Sequence, residues 1–212
     1  MRLLVLSFIL LFAFGIGCKC EYFPKSCDLL FRTEGASDFS EAISGATRTV
    51  TDSVSFVHVG ILLPDSCGNP FVIEASPKFG VVTTPLSEFI SDSPLVGGKP
   101  GVVVKRLAAE FSPEEVETNA LGFLGQPYDW HYLPDNGSLY CSELVYECFL
   151  TPEGDHIFRA LPMNFRLPDG TMPDFWKNLY GELGMEVPEG KPGTNPNELS
   201  RDPRLVEVYR YF

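Results

Sequence analysis

The strongest apolar pattern in the chain is Val54 to Leu63, a run of β-branched, aromatic and aliphatic residues broken only by Ser55, His58 and Gly60. Such a run reads as a strand. The cluster Pro64-Asp65-Ser66-Cys67-Gly68-Asn69-Pro70 then marks a turn, and Phe71 to Ala75 reads as the returning strand of a β-hairpin. Asp28 to Arg32 predicts a short first strand and Val102 to Leu107 another. Asp38, with Glu41 three residues on, predicts a helix N-cap and a helix to about Ala46. Thr84-Pro85 predicts a short helix with proline at its first position. Ser112-Pro113-Glu114-Glu115 is a helix start with cap, N1 proline and capping glutamate, and Gly125 is the expected end cap. After a polar and aromatic loop from Gln126 to Leu139, Tyr140 to Phe149 predicts a helix beginning near Cys141. From 162 to 204 the pattern is loop-rich, with a short helix near Phe175, and Leu205 to Phe212 predicts a closing strand. Strands and helices in this mixture imply an α+β fold.

The first residues fall outside that fold. Leu3 to Ile16 is an unbroken apolar run behind Met1-Arg2 and ahead of the small residues Gly15 and Gly17. It is shorter than the roughly 20 residues that cross a bilayer and has the layout of a signal peptide. Residues 1–17 are therefore expected to be removed, leaving one domain over 18–212. Gly15-Ile16-Gly17-Cys18 resembles a bacterial lipobox, whose cysteine becomes lipidated. Ordinary cleavage before Cys18 is the alternative. Either way the protein is expected outside the cytoplasm, in the periplasm or anchored to a membrane at the cell envelope through Cys18.

A formal net charge of −12, from 16 Lys and Arg against 28 Asp and Glu, argues against a nucleic-acid partner. The six cysteines form no CxxC pair and the histidines no zinc spacing, so neither a metal nor a cofactor is expected. Cys141 and Cys148 cannot bridge within one helix, because seven residues rise about 10 Å.

Three polar groups stand where apolar ones would otherwise be. Cys141 lies where a loop becomes a helix, and free N–H groups at a helix N-terminus favour a thiolate and can hold an oxyanion. His58 interrupts one hairpin strand and Glu74 the other. With the turn centred near residue 66 or 67, opposed residues sum to about 132 to 134. At the lower value the two face each other; at the higher they are diagonal neighbours on one face. Either of these registers lets the carboxylate orient the imidazole, whereas an odd sum would put the two on opposite faces. His131, ten residues before Cys141, is a rival base on spacing alone, and His156 is expected at the surface.

The blocks DLLF (28–31), FVHVGILL (56–63), VIEA (72–75), TPLSEFI (84–90), VVKRL (103–107), GQPYDW (125–130) and YCSELVYECF (140–149) together resemble the YiiX/YaeF-like group of permuted NlpC-type cysteine peptidases. The resemblance implies a circularly permuted papain-like fold: an antiparallel sheet packed against helices, with the nucleophile at a helix N-terminus. It implies a triad of Cys141 as nucleophile, His58 as base and Glu74 as orienting group, with Tyr128 and Tyr140 flanking the substrate cleft. The implied activity is hydrolysis of peptide or isopeptide bonds, with cell-wall peptides as the expected substrate. Two alternatives remain. Lecithin retinol acyltransferase-like proteins share the layout and act on lipid acyl groups, although their cysteine motif is typically NCEH rather than YCSE. A non-catalytic envelope lipoprotein binding wall peptides is the other. Cys27 stands where the family usually has Gly before Asp28. The stretch 162–204 reads as a C-terminal extension.

Overall fold

The computed structural model describes residues 22–212; the segment expected to be a signal peptide, and Cys18, lie outside the described residues. The elements run β1 (Leu29–Thr33), α1 (Asp38–Thr47), β2 (Phe56–Pro64), β3 (Pro70–Ser76), β4 (Gly80–Pro85), α2 (Leu86–Ser91), β5 (Leu95–Val96), β6 (Lys99–Pro100), β7 (Val102–Leu107), α3 (Pro113–Gly122), α4 (Cys141–Cys148), β8 (Leu161–Pro162), α5 (Asp174–Leu183), β9 (Pro192–Gly193), α6 (Pro196–Ser200) and β10 (Leu205–Arg210). Six strands form one antiparallel sheet in the order β10-β7-β1-β2-β3-β4. Among the described residues no helix is long and apolar enough to cross a membrane.

Both faces of this sheet are buried, which explains why its strands read as continuous apolar runs rather than as alternation. Leu29, Phe31, Val59, Ile61, Leu63, Ile73 and Val103 join the main core with Leu144, Val145 and Cys148 of α4. Residues of the other parity, Leu30, Leu62, Val72, Val102 and Val104, pack under Leu86 and Phe89 of α2. Cys148 is a free, fully buried thiol that fills core space.

Several boundaries differ from expectation. Ser37, not Asp38, caps α1: its hydroxyl accepts from the Ser40 N–H, and Asp38 becomes the first helical residue. Thr84 and Pro85 close β4 rather than open a helix, and Pro85 is the N-cap of α2. β4 escaped the sequence reading because a short run ending in Thr-Thr-Pro also satisfies helix-start rules; its pairing with β3 decides the matter. Helix α3 ends at Gly122, and Gly125, with φ of 83°, instead turns the chain so that its N–H reaches the Val81 carbonyl. The expected start of α3, Ser112 accepting from the Glu115 N–H, is present.

Gly60 is fixed by close packing rather than by a turn. A Cβ there would stand 2.4 Å from Val72 Cγ1 and 3.2 Å from the Ile73 carbonyl oxygen. Gly60→Ala should therefore push β3 away from β2 and cost about 1–3 kcal/mol, measured by denaturant unfolding. A stability equal to that of the parent would mean that the strands give way freely.

Candidate active site

The hairpin register is the diagonal one. Ile61 pairs with Ile73 and Leu62 with Val72, which carries Gly60 opposite Glu74 and makes His58 its diagonal neighbour. On its other side β2 slips against β1: Arg32 pairs with His58 but Thr33 with Phe56. Val57 is thus the extra residue of a β-bulge, a device that re-aims neighbouring side chains.

His58 Nε2 meets Glu74 Oε2 at 2.5 Å, and Thr84 Oγ1 donates to Glu74 Oε1 at 2.7 Å. Arg32 stands behind the carboxylate, Nη1 at 3.8 Å from Oε2. Its Nε and Nη2 donate to the Phe89 carbonyl at 3.1 and 2.6 Å, and its guanidinium carbon lies 3.6 Å from the Phe89 ring centroid. Glu74 is therefore a buried carboxylate with three polar neighbours. Burial alone would raise its pKa, but the His58 bond, Arg32 and Thr84 hold it at about 2.

With Nε2 engaged, Nδ1 is the ring nitrogen left for a thiol. Burial pulls the imidazole pKa down, yet the neighbouring Cys141 side chain and the bond to Glu74 outweigh it and push it up to about 9. Cys141 is 3% exposed and is the first residue of α4. Tyr140, in extended conformation at φ −95° and ψ 170°, starts that helix. The Tyr140 N–H reaches back to Glu143 Oε2 at 3.4 Å, while the Leu144 N–H takes the Tyr140 carbonyl. The N–H groups of the first turn have no partner within the helix, and Cys141 is the first residue of that turn.

Beside Cys141 lies a small pocket of about 30 Å³ with an almost wholly apolar wall. Tyr128 and Tyr140, expected at the cleft, both line it. Their hydroxyls are already engaged: Tyr128 with Tyr132 at 3.1 Å, and Tyr140 accepting from the Thr194 N–H at 2.9 Å. Ile43 of α1, Met163, Phe165 and Trp176 complete the wall. The last three come from the region read as a loop-rich extension, which thus builds the pocket rather than merely wrapping the domain. A second depression of about 240 Å³, lined by Arg32, Ser37, His58, Glu74, Ser76 and Asp92 among others, opens on the histidine side.

Neither rival histidine is bonded to Glu74 as His58 is. His131 is exposed, its Nδ1 3.5 Å from Asp129, and its carbonyl accepts from Tyr180. His156 stacks on Tyr146 with ring centroids 3.9 Å apart. Sequence reasoning missed Arg32, Thr84, Tyr132, Met163, Phe165 and Trp176. Arg32 had one signal, a cation inside an apolar strand in a chain whose lone Glu74 needed a partner; the others carried none.

The model of the permuted papain-like amidase family, YaeF/YiiX, C92, matches residues 24–209 and so includes the C-terminal region. The uncharacterised protein YiiX of Escherichia coli strain K12 is 27% identical over 188 residues, covering 87% of this chain and 86% of its own. A crystal structure described as metalloprotein yiiX from Escherichia coli O157:H7 has the same fold, with a TM-score of 0.71 at 23% identity over 90% of this chain and 99% of that one. Among the described residues here, no three His, Cys, Asp or Glu side chains converge as a metal site would need, so no step below runs through a metal. The fold, the matched length and the sequence relationship together place this chain in the permuted papain-like amidase family, C92.

Proposed function

We propose that this protein is an exported thiol amidase in which Cys141 forms a thioester with the acyl part of its substrate. The observation that carries this is the imidazole of His58 bonded to a buried carboxylate, with the thiol of Cys141 at a helix N-terminus close enough to act on its charge. His58 takes the thiol proton through Nδ1, and the sulfur attacks the amide carbon. The N–H groups at the start of α4 receive the oxyanion. As the C–N bond breaks, the imidazolium returns its proton to the leaving amine. His58 then deprotonates a water, which attacks the thioester, releases the acid and restores the thiol. Glu74 keeps the ring in the tautomer that presents Nδ1, stabilises the imidazolium and stays ionised throughout. Cell-wall peptides suit an enzyme delivered by residues 1–17, with or without a lipid on Cys18.

The apolar wall around Cys141 favours a second reading of the acyl group: a lipid-like acyl chain as in the lecithin retinol acyltransferase-like enzymes. The pocket is apolar, as that reading wants, but short.

The test is the pH profile of Cys141 alkylation by iodoacetamide in a protein lacking Cys18, Cys20, Cys27, Cys67 and Cys148. An imidazole whose pKa stands near 9 carries its charge through neutral pH, and on this reading that charge favours the thiolate form of its neighbour. Labelling is expected to be rapid below pH 7 and to be lost in His58→Ala. Labelling that rises only near the ordinary thiol pKa of about 8.5, with or without His58, would refute the pair and favour a binding protein.

A further inference from the structure

Behind the His58–Glu74 pair stands a cation with no step of its own in the hydrolysis. Arg32 lies opposite His58 in the β1–β2 register, and its side chain is 17% exposed. Phe89 fixes it twice over. Arg32 Nε and Nη2 donate to the Phe89 carbonyl, and the guanidinium lies over the Phe89 ring. That leaves Nη1, 3.8 Å from Glu74 Oε2, the same oxygen that His58 Nε2 meets. Thr84 donates to the other oxygen. The charged and titratable groups acting on this set come from four elements and one cap. His58 and Arg32 act on Glu74, Cys141 and Glu74 on His58, and Glu74 and Asp92, the C-cap of α2, on Arg32.

The charge on Glu74 has a different support at each stage of the reaction. While the ring is an imidazolium, two cations face Oε2. In the acyl-enzyme the sulfur is uncharged, and His58 must be neutral to take a proton from water. Burial then raises the pKa of Glu74, and of the groups that hold it down only Arg32 still brings a full charge, with Thr84 adding a hydrogen bond. The outcome decides a tautomer. An ionised Glu74 accepts from Nε2–H and leaves Nδ1 bare. A protonated Glu74 would donate to Nε2 and drive the ring proton onto Nδ1, which could then accept nothing from water.

We infer that Arg32 is a positioning residue for thioester hydrolysis: acting through Glu74, it keeps that carboxylate ionised while His58 is neutral and so keeps Nδ1 open as the base. The inference deepens the thioester reading above and rests on it. In the step that Arg32 serves, the water oxygen attacks the thioester carbon as one water proton passes to Nδ1. The intermediate then expels the Cys141 thiolate and releases the acid. Attack of the thiolate on an ester with a good leaving group asks for no proton from the ring. Acylation and deacylation should therefore respond differently to the loss of Arg32.

The experiment follows p-nitrophenyl acetate by stopped flow between pH 5 and 9 in the parent, Arg32→Met and Arg32→Lys. The burst reads acylation and the steady rate reads deacylation. In Arg32→Met the burst should survive, while the acid limb of the steady rate moves up by about one to two pH units, the scale of a unit charge lost from about 4 Å away in a partly shielded site. Well down that limb the rate falls about ten- to hundredfold. Arg32→Lys keeps the charge and should bring the limb most of the way back. An acid limb unmoved in Arg32→Met overturns the inference. So does a loss that is equal at every pH and as large in Arg32→Lys, the mark of a role confined to folding. Turnover in Cys141→Ala equal to the parent's overturns the thioester reading itself.

A second measurement does not depend on Arg32→Met folding. Nitrogen NMR shifts of the His58 ring are recorded in the parent and in Arg32→Lys, with the other cysteines replaced and Cys141 alkylated by iodoacetamide, so that an uncharged sulfur stands in for the thioester. Once the ring has lost its proton, both proteins are expected to show Nε2–H and a bare Nδ1. A neutral ring carrying its proton on Nδ1 in either protein overturns the inference.

Discussion

Cys141→Ala should abolish amide and ester turnover, a fall on the order of 10⁴-fold or more, with little loss of stability. The activity falls because, among the described residues, no other thiol borders the pocket, the Thr47, Ser142 and Thr194 hydroxyls are hydrogen-bonded, and the tyrosine hydroxyls are held protonated by burial. Stability is largely spared because the substitution removes one sulfur beside an existing pocket, and the buried His58, though it loses its thiol neighbour, keeps its bond to Glu74. Glu74 retains Thr84 and Arg32 whether or not the thiol is present. Turnover is read with a chromogenic ester or an amide, and folding by the thermal midpoint. Residual turnover within tenfold of the parent would remove Cys141 from the chemistry.

Glu143→Gln should make the protein more stable at pH 8 and flatten its stability between pH 5 and 8. Glu143 is 7% exposed within the first turn of α4. Burial first, and then the carboxylate of Asp129, push its pKa up to about 8. The unfolded chain loses this proton near pH 4.5, whereas the folded chain keeps it. Across that window the folded state binds more protons, so stability falls as pH rises. Glutamine keeps an acceptor for the Tyr140 N–H and has no proton to lose. The gain at pH 8 should be about 2–4 kcal/mol, read by guanidinium unfolding at pH 5.5 and 8. Parallel pH dependences in parent and variant would show that Glu143 ionises in the folded state. A neutral Glu143 also serves the site, because an ionised one would add a negative charge two residues from the thiolate of the reacting enzyme.

The sequence was most legible where local rules and tertiary packing agree. The hairpin of β2 and β3, the capped start of α3 and the cysteine at the start of α4 could each be read from a few neighbouring residues, because caps, turns and strand propensity act over short range. The diagonal relation of His58 to Glu74 was one of several registers that a turn near residue 66 or 67 allowed, an odd-sum one included. Packing at Gly60 goes with the one observed, since the absent Cβ lets β3 come close.

Other features had no local signature. The bulge at Val57 depends on a slip against β1, a strand more than twenty residues away. Arg32 is drawn behind Glu74 by the Phe89 carbonyl and ring, from a helix that follows β4. β4 itself imitates a helix start and is a strand only because β3 offers its edge. On spacing alone His58 and His131 were rivals, since ten residues of loop can carry a side chain towards the sulfur or away from it; the family resemblance singled out His58, and the structure puts His58 against Glu74 and leaves His131 exposed.

The sequence by itself determined the fold class, the chemistry-bearing residue types and the order His58, Glu74, Cys141 that marks a permuted papain-like chain. Only the tertiary structure decided what surrounds them. A pocket is made by residues far apart in the chain, and here Met163, Phe165 and Trp176 return from a loop-rich stretch to close against Ile43 and the tyrosines. Periodicity and capping report on neighbours a few residues apart; the shape left between distant segments is set by how their side chains pack, which no local pattern records.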